Sequence, residues 1–205
     1  LTAWTPEDNK QLRSAIKECL RQSTDCSKGP RGPIGSWDIY DVIDMSDLFV
    51  VEDTDGDPLP GADKFNGDVS KWEVLNVMDM NSMFPHASSL NADLSKWDVS
   101  SVTTMCSMFG GVSLFNSDLS KWDVTKAKSM WRMFRSAYSF NGDVSNWDVS
   151  TVTSMESMFQ GAANFDQNLE LWTVREDVNL DRVFDSTALA YNRHYPCWYT
   201  NPGTL

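Results

Sequence analysis

Two columns of carboxylates recur through the chain at one interval. Asp68, Asp93, Asp118 and Asp143 form one, and Glu73, Asp98, Asp123 and Asp148 form the other, each member 25 residues from the next. Stacked at a strand spacing of about 5 Å, neighbouring carboxylates repel by roughly 0.8 kcal/mol even at the dielectric of water. Asx turns offset this, each carboxylate accepting backbone N–H groups, with Lys71, Lys96 and Lys121 close by in sequence. Cation binding along the columns and a paired-acid glycosidase are the chemical alternatives. A catalytic pair is normally unique, and repetition in every unit weighs against one.

The segment Glu52-Asp53-Thr54-Asp55-Gly56-Asp57 sets hard oxygen ligands around a glycine, as calcium loops do. Asp53, Asp55 and Asp57 are its candidate ligands for Ca2+. The EF-hand register fails, because Pro58 stands where Gly is required and Lys64 where the bidentate Glu belongs. No other cofactor is expected. Cys19 and Cys26, seven residues apart, are spaced for a local disulfide, while Cys106 and Cys197 are left without an assigned partner. His194 and Cys197 make H-x-x-C with no further zinc ligands. With only two His, no G-x-S-x-G, no Walker loop and no dinucleotide fingerprint, the chain lacks the materials of catalysis and reads as a non-enzyme.

One cluster breaks the pattern. Lys128, Trp131, Arg132 and Arg135 gather a Trp and three cations on a chain of formal charge -12. The residues equivalent to Trp131 in neighbouring units are Asn81, Cys106 and Glu156, so a core role for it is not expected. An exposed Trp among cations is the type of group that anchors a protein contact and selects an acidic or polar partner.

These residues sit on a repeat. Trp72, Trp97, Trp122, Trp147 and Trp172 are 25 residues apart, as are Phe84, Phe109, Phe134, Phe159 and Phe184. Phe65, Leu90, Phe115, Phe140 and Phe165 keep the same interval, and so do the pairs Met80/Met83 to Met155/Met158. All ten Phe and nine of ten Met fall in register; Met78 is the exception. An Asn column (Asn66, Asn91, Asn116, Asn141) is expected to bond turn backbones. An earlier copy carries Trp37, Met45, Leu48 and Phe49, with about ten extra residues before Trp72. Alternation around Trp122 and Val124 predicts a short strand, and the spacing of Val152, Met155, Met158, Phe159 and Ala162 predicts a short helical piece. One strand and one helical piece per unit predict an α/β repeat, a leucine-rich-repeat-like right-handed solenoid of about six units. No single unit buries its own faces, so stability belongs to the array and both ends need covering.

Thr5-Pro6-Glu7-Asp8 reads as a helix start with Thr5 as N-cap, and Leu12, Ala15, Ile16, Cys19 and Leu20 as the buried face. Tyr191, Tyr195, Trp198 and Tyr199 are expected to cover the far end. The organisation is therefore a helical cap and linker over 1–33, the solenoid over 34–186 with an insert at about 51–63, and a C-terminal cap over 187–205. The acidic balance carries no basic run for nucleic acid, and no apolar run reaches the roughly 18–20 residues a membrane span needs. The start at Leu1 is read as a processed N-terminus.

The string F-N-x-D-[VL]-S-x-W-[DE]-V-x-x-V-x-x-M-x-x-M-F, clearest at Phe115–Phe134 and Phe140–Phe159, resembles the BspA-like leucine-rich-repeat surface proteins. That 25-residue class also occurs in mycoplasma lipoproteins, algae and protists. The resemblance spans about Ile34 to Phe184. It implies a secreted, cell-surface or organelle-lumenal protein that binds other proteins and carries no shared catalytic residues. The expectation is a non-enzymatic protein-binding or scaffold module. An accessory subunit of a larger complex and a carbohydrate-binding or carbohydrate-active protein are the alternatives.

Overall fold

In the computed structural model, residues 3–51, 59–192 and 194–199 are described. Each 25-residue unit is a chain of tight turns, which overturns the expected α/β, leucine-rich-repeat-like solenoid. Among the described residues the α-helices are α1 (Asn9–Leu20) and α2 (Ala188–Asn192), both outside the central units. Among the described residues no strand forms; successive units touch through isolated parallel bridges, Asp44 to Asp79, then Thr104, Ser129, Ser154 and Asn179.

The physical reason lies in the backbone. Ser82, Ser107, Arg132, Ser157 and Arg182 all have φ near +50°, from 48 to 56°. A second left-handed position follows at His86, Gly111, Ser136, Gly161 and Ser186. A helix needs consecutive right-handed residues, so these positions end it twice per unit. The amide hydrogens then alternate in direction. Met105, Ser107, Phe109 and Gly111 donate to Ser129, Trp131, Met133 and Arg135 of the next unit at 2.7–3.1 Å. Met108, Gly110 and Val112 close turns onto the residue three before. Methionines and phenylalanines still point inward, which is why helical spacing appears where no helix exists.

The repeated aromatics stack along this column. Phe109 lies on Phe115 at 4.0 Å between ring centroids, and Phe134 on Phe140 at 3.9 Å. Trp122 and Trp147 are 6.3 Å apart and nearly parallel. Each core indole also donates backwards across the stack: Trp97 to the Val69 carbonyl, Trp122 to Leu94, Trp147 to Leu119 and Trp172 to Val144, at 2.9–3.0 Å. The ring therefore supplies apolar area while its polar edge is satisfied.

Both ends are closed by residues that imitate a missing neighbour. On the first unit, the Met45, Asp47 and Phe49 amides point toward the next unit, leaving carbonyls on the open side. The α1 helix lies over them. Asn9 Nδ2 donates to the Asp44 and Ser46 carbonyls, and the Arg13 guanidinium donates to those of Asp47, Leu48 and Val50. The N-cap of α1 is Asp8, not Thr5: its carboxylate accepts the Gln11 amide at 2.8 Å. Cys19, on the buried face, is disulfide-bonded to Cys26, with Cα atoms 5.1 Å apart. At the far end Trp198 stacks on Trp172 at 6.1 Å and donates to the Leu169 carbonyl at 2.8 Å, extending the indole column one residue out of register. Tyr195 and Tyr199 pack beside Phe184. Tyr191, expected in this cover, is almost fully exposed.

Candidate functional site

All members of the two carboxylate columns except Glu73 are absorbed by local structure. Asp68, Asp93, Asp118 and Asp143 accept the amides of Ser70, Ser95, Ser120 and Ser145 at 2.9–3.0 Å. Asp98, Asp123 and Asp148 do the same for Ser100, Thr125 and Ser150. These Asx turns hold the pKa values of Asp68, Asp93, Asp118, Asp123 and Asp148 below the usual aspartate value, through hydrogen bonds from the following Ser or Thr. A carboxyl with a lowered folded pKa adds stability above its unfolded pKa and loses it as pH falls through the folded value. Asp47 and Asp79 run the other way: burial raises them, so their protonation on acidification favours the folded state. Replacing the five lowered aspartates by Asn should keep the turns, since Asn168 already holds the Glu170 amide at 2.9 Å. Urea titrations between about pH 5 and pH 2 are expected to show a shallower loss of stability in that variant than in the wild type.

The Asn column also serves the stack: Asn66, Asn91, Asn116 and Asn141 each accept the amide of the residue one unit on. His194 and Cys197 turn to separate carboxylates, Asp166 at 3.1 Å and Glu170 at 2.5 Å, rather than to each other. The calcium candidates Asp53, Asp55 and Asp57 lie outside the described residues. Among the described residues no group of three or more His, Cys, Asp or Glu is arranged to hold a metal ion.

At Trp131 the unit departs from its neighbours. Seven of the nine tryptophans donate their indole N–H to backbone carbonyls: Trp37, Trp72, Trp97, Trp122, Trp147, Trp172 and Trp198. Among the described residues, the Trp131 indole N–H has no such partner. The ring is half-buried, not fully exposed, because Arg132 folds over it with Cζ 4.1 Å from the ring centroid. Such a contact at a surface is worth about 0.5–1 kcal/mol. The Arg132 Nε–H is buried with no hydrogen-bond partner among the described residues. An unsatisfied buried donor costs about 1–3 kcal/mol, so this arrangement is held against its own local cost. Arg135, one turn on, is exposed and donates from Nε to Gln160 Oε1 at 3.0 Å. Lys128 is exposed on the preceding extended segment, and among the described residues it shares no side-chain hydrogen bond, ion pair or ring contact with the other three. The structure thus joins Trp131 to Arg132 directly and leaves Lys128 as a peripheral charge.

A second surface escaped the sequence reading. Tyr40, Ile43, Leu75 and Met78 are all exposed. Met78 and Ile43 sit on adjacent units, joined by the Met78 amide to the Ile43 carbonyl at 2.8 Å. Asn76 ties down the Tyr40 carbonyl at 2.9 Å. Later units carry Thr103, Lys128 and Thr153 where Ile43 and Met78 stand. The available signal was Met78, the one methionine outside the repeat register.

Stacked 25-residue units with aromatic columns and end covers define a tandem-repeat protein. The chain belongs to the family described as "Mycoplasma protein of unknown function, DUF285", which matches over residues 17–133 and 93–198. No curated protein and no solved structure gives a significant match.

Proposed function

We propose that the chain is a non-enzymatic protein-recognition or scaffold module that meets an acidic partner through Trp131, Arg132 and Arg135, with Lys128 at the margin. The observation that carries this reading is the Trp131 indole. It is the ring displaced from the core, its N–H is free of the backbone bonds that occupy the core indoles, and a cation is laid on its face. A half-buried Trp beside Arg is the composition of an interface hot spot. On a chain of net charge -12, this local group of cations is a place where an acidic surface meets attraction rather than repulsion. The finer kinship, with BspA-like surface proteins, and an extracellular or lumenal location belong to the same proposal; the Cys19–Cys26 disulfide supports the oxidising compartment.

The test uses the immobilised chain and extract of its native source. Wild-type protein is expected to retain an acidic protein at fixed stoichiometry, and Trp131→Asn, which copies Asn81, is expected to lose at least about tenfold of that binding. Equal retention by both would remove Trp131 from the contact.

A further inference from the structure

Beside Trp131 the surface opens into a depression of about 230 Å³. Its walls come from three successive units: Ser82 and His86, then Ser107, then Arg132, Arg135 and Ser136. The floor is Gly110–Gly111, the one place among the units where both residues after the core phenylalanine lack side chains. The equivalent pairs are Pro85–His86, Arg135–Ser136, Gln160–Gly161 and Asp185–Ser186. The glycine pair lets the His86 ring lie over this floor. A Cβ on Gly111 would come within 2.4 Å of His86 Nδ1.

Every polar side chain around this gap can donate. Two guanidinium groups, one imidazole and three hydroxyls line it, and no carboxylate does, on a chain with 29 acidic residues. The hydrogen bond to Gln160 anchors Arg135 through Nε and leaves its terminal nitrogens free. The Arg132 Nε–H is buried without a partner among the described residues and is itself closed off from the cleft, so Arg132 would meet an occupant through its terminal nitrogens. The Gly110 and Gly111 amides are spent on Ser107 and Arg135 carbonyls, so an occupant would be held by side chains.

We infer that this cleft binds a tetrahedral oxyanion, a phosphate or sulfate group. A planar carboxylate is met by one coplanar fork, whereas side-chain donors on walls from three units match oxygens directed out of a plane. The inference deepens the proposed function, and it rests on that reading only for supposing that the group is carried by an acidic partner.

The test needs no partner. Isolated protein is titrated calorimetrically with inorganic phosphate, with sulfate and with acetate. Phosphate and sulfate are expected to saturate and compete for one site, with acetate at least about tenfold weaker. Arg132→Ser with Arg135→Gln copies residues of neighbouring units at positions 107 and 160, so the backbone geometry is already compatible. That variant is expected to lose at least about tenfold in phosphate affinity. Should it melt early, His86→Ser, which copies Ser136, gives the same reading from the opposite wall. Acetate binding as tightly as phosphate, phosphate binding unchanged in these variants, or no phosphate binding at all overturns the inference. Failure of the partner capture with phosphate binding intact counts against the proposed function alone.

Discussion

Trp122→Ala is expected to destabilise the chain by about 3–5 kcal/mol. The ring is 3 % exposed, stacked against Trp147 and packed on Phe109. Its removal opens a cavity in the middle of the column, where no chain end can collapse into it. Loss of the indole N–H also takes from the Leu94 carbonyl one of its two donors, at 3.0 Å, leaving the Trp97 amide at 3.1 Å. Trp122→Phe separates the two effects, keeping much of the apolar volume while deleting the N–H, and should cost about 1–3 kcal/mol. Chemical denaturation of the three proteins gives both numbers. A loss below about 1 kcal/mol for the alanine variant would mean that the column does not depend on its indoles.

Arg13→Ala is expected to cost about 2–3 kcal/mol, although Arg13 belongs to no repeat. One guanidinium supplies donors to three carbonyls at the open edge of the first unit. Without it, part-buried acceptors are left unpaired on the side where no unit precedes them. Arg13→Lys should recover only part of the loss, because a single ammonium cannot reproduce a planar fork spread over three acceptors. Hydrogen exchange should show the loss first at Met45, Asp47 and Phe49, whose amides bond the second unit. Uniform loss of protection along the chain would place Arg13 outside the cap.

The repeat is legible because its side chains are chosen by what they touch. Trp72 to Trp172 and the two Phe columns recur wherever a neighbour must be packed, and they are buried in every unit. The elements are not legible, for a backbone reason. Spacing of three and four residues at Met155, Met158 and Phe159 records only that these side chains face inward, which consecutive turns achieve as well as a helix. The residues that forbid the helix, Ser157 and its equivalents including Arg132, adopt φ near +55° without being glycine, so their type carries no warning. Trp131 is visible as a break in a column of polar residues. Its partial burial under Arg132 is not, because that depends on side-chain folding. The proposed oxyanion cleft is less visible still. Its walls come from three units, and its floor, Gly110–Gly111, registers in the sequence as small residues rather than as a site.

On the proposed reading, the chain divides into residues that serve the stack and residues that break the repeat to serve recognition. The most direct measurement is made on one variant, Trp131→Asn with Arg132→Ser and Arg135→Gln, which rewrites this surface with residues taken from its neighbours. Its unfolding free energy and its capture of the native partner are measured beside those of the wild type. The predicted result is stability no more than about 0.5 kcal/mol below that of wild type and capture abolished. A stability loss approaching that of Trp122→Ala, or capture at the wild-type level, would contradict the division.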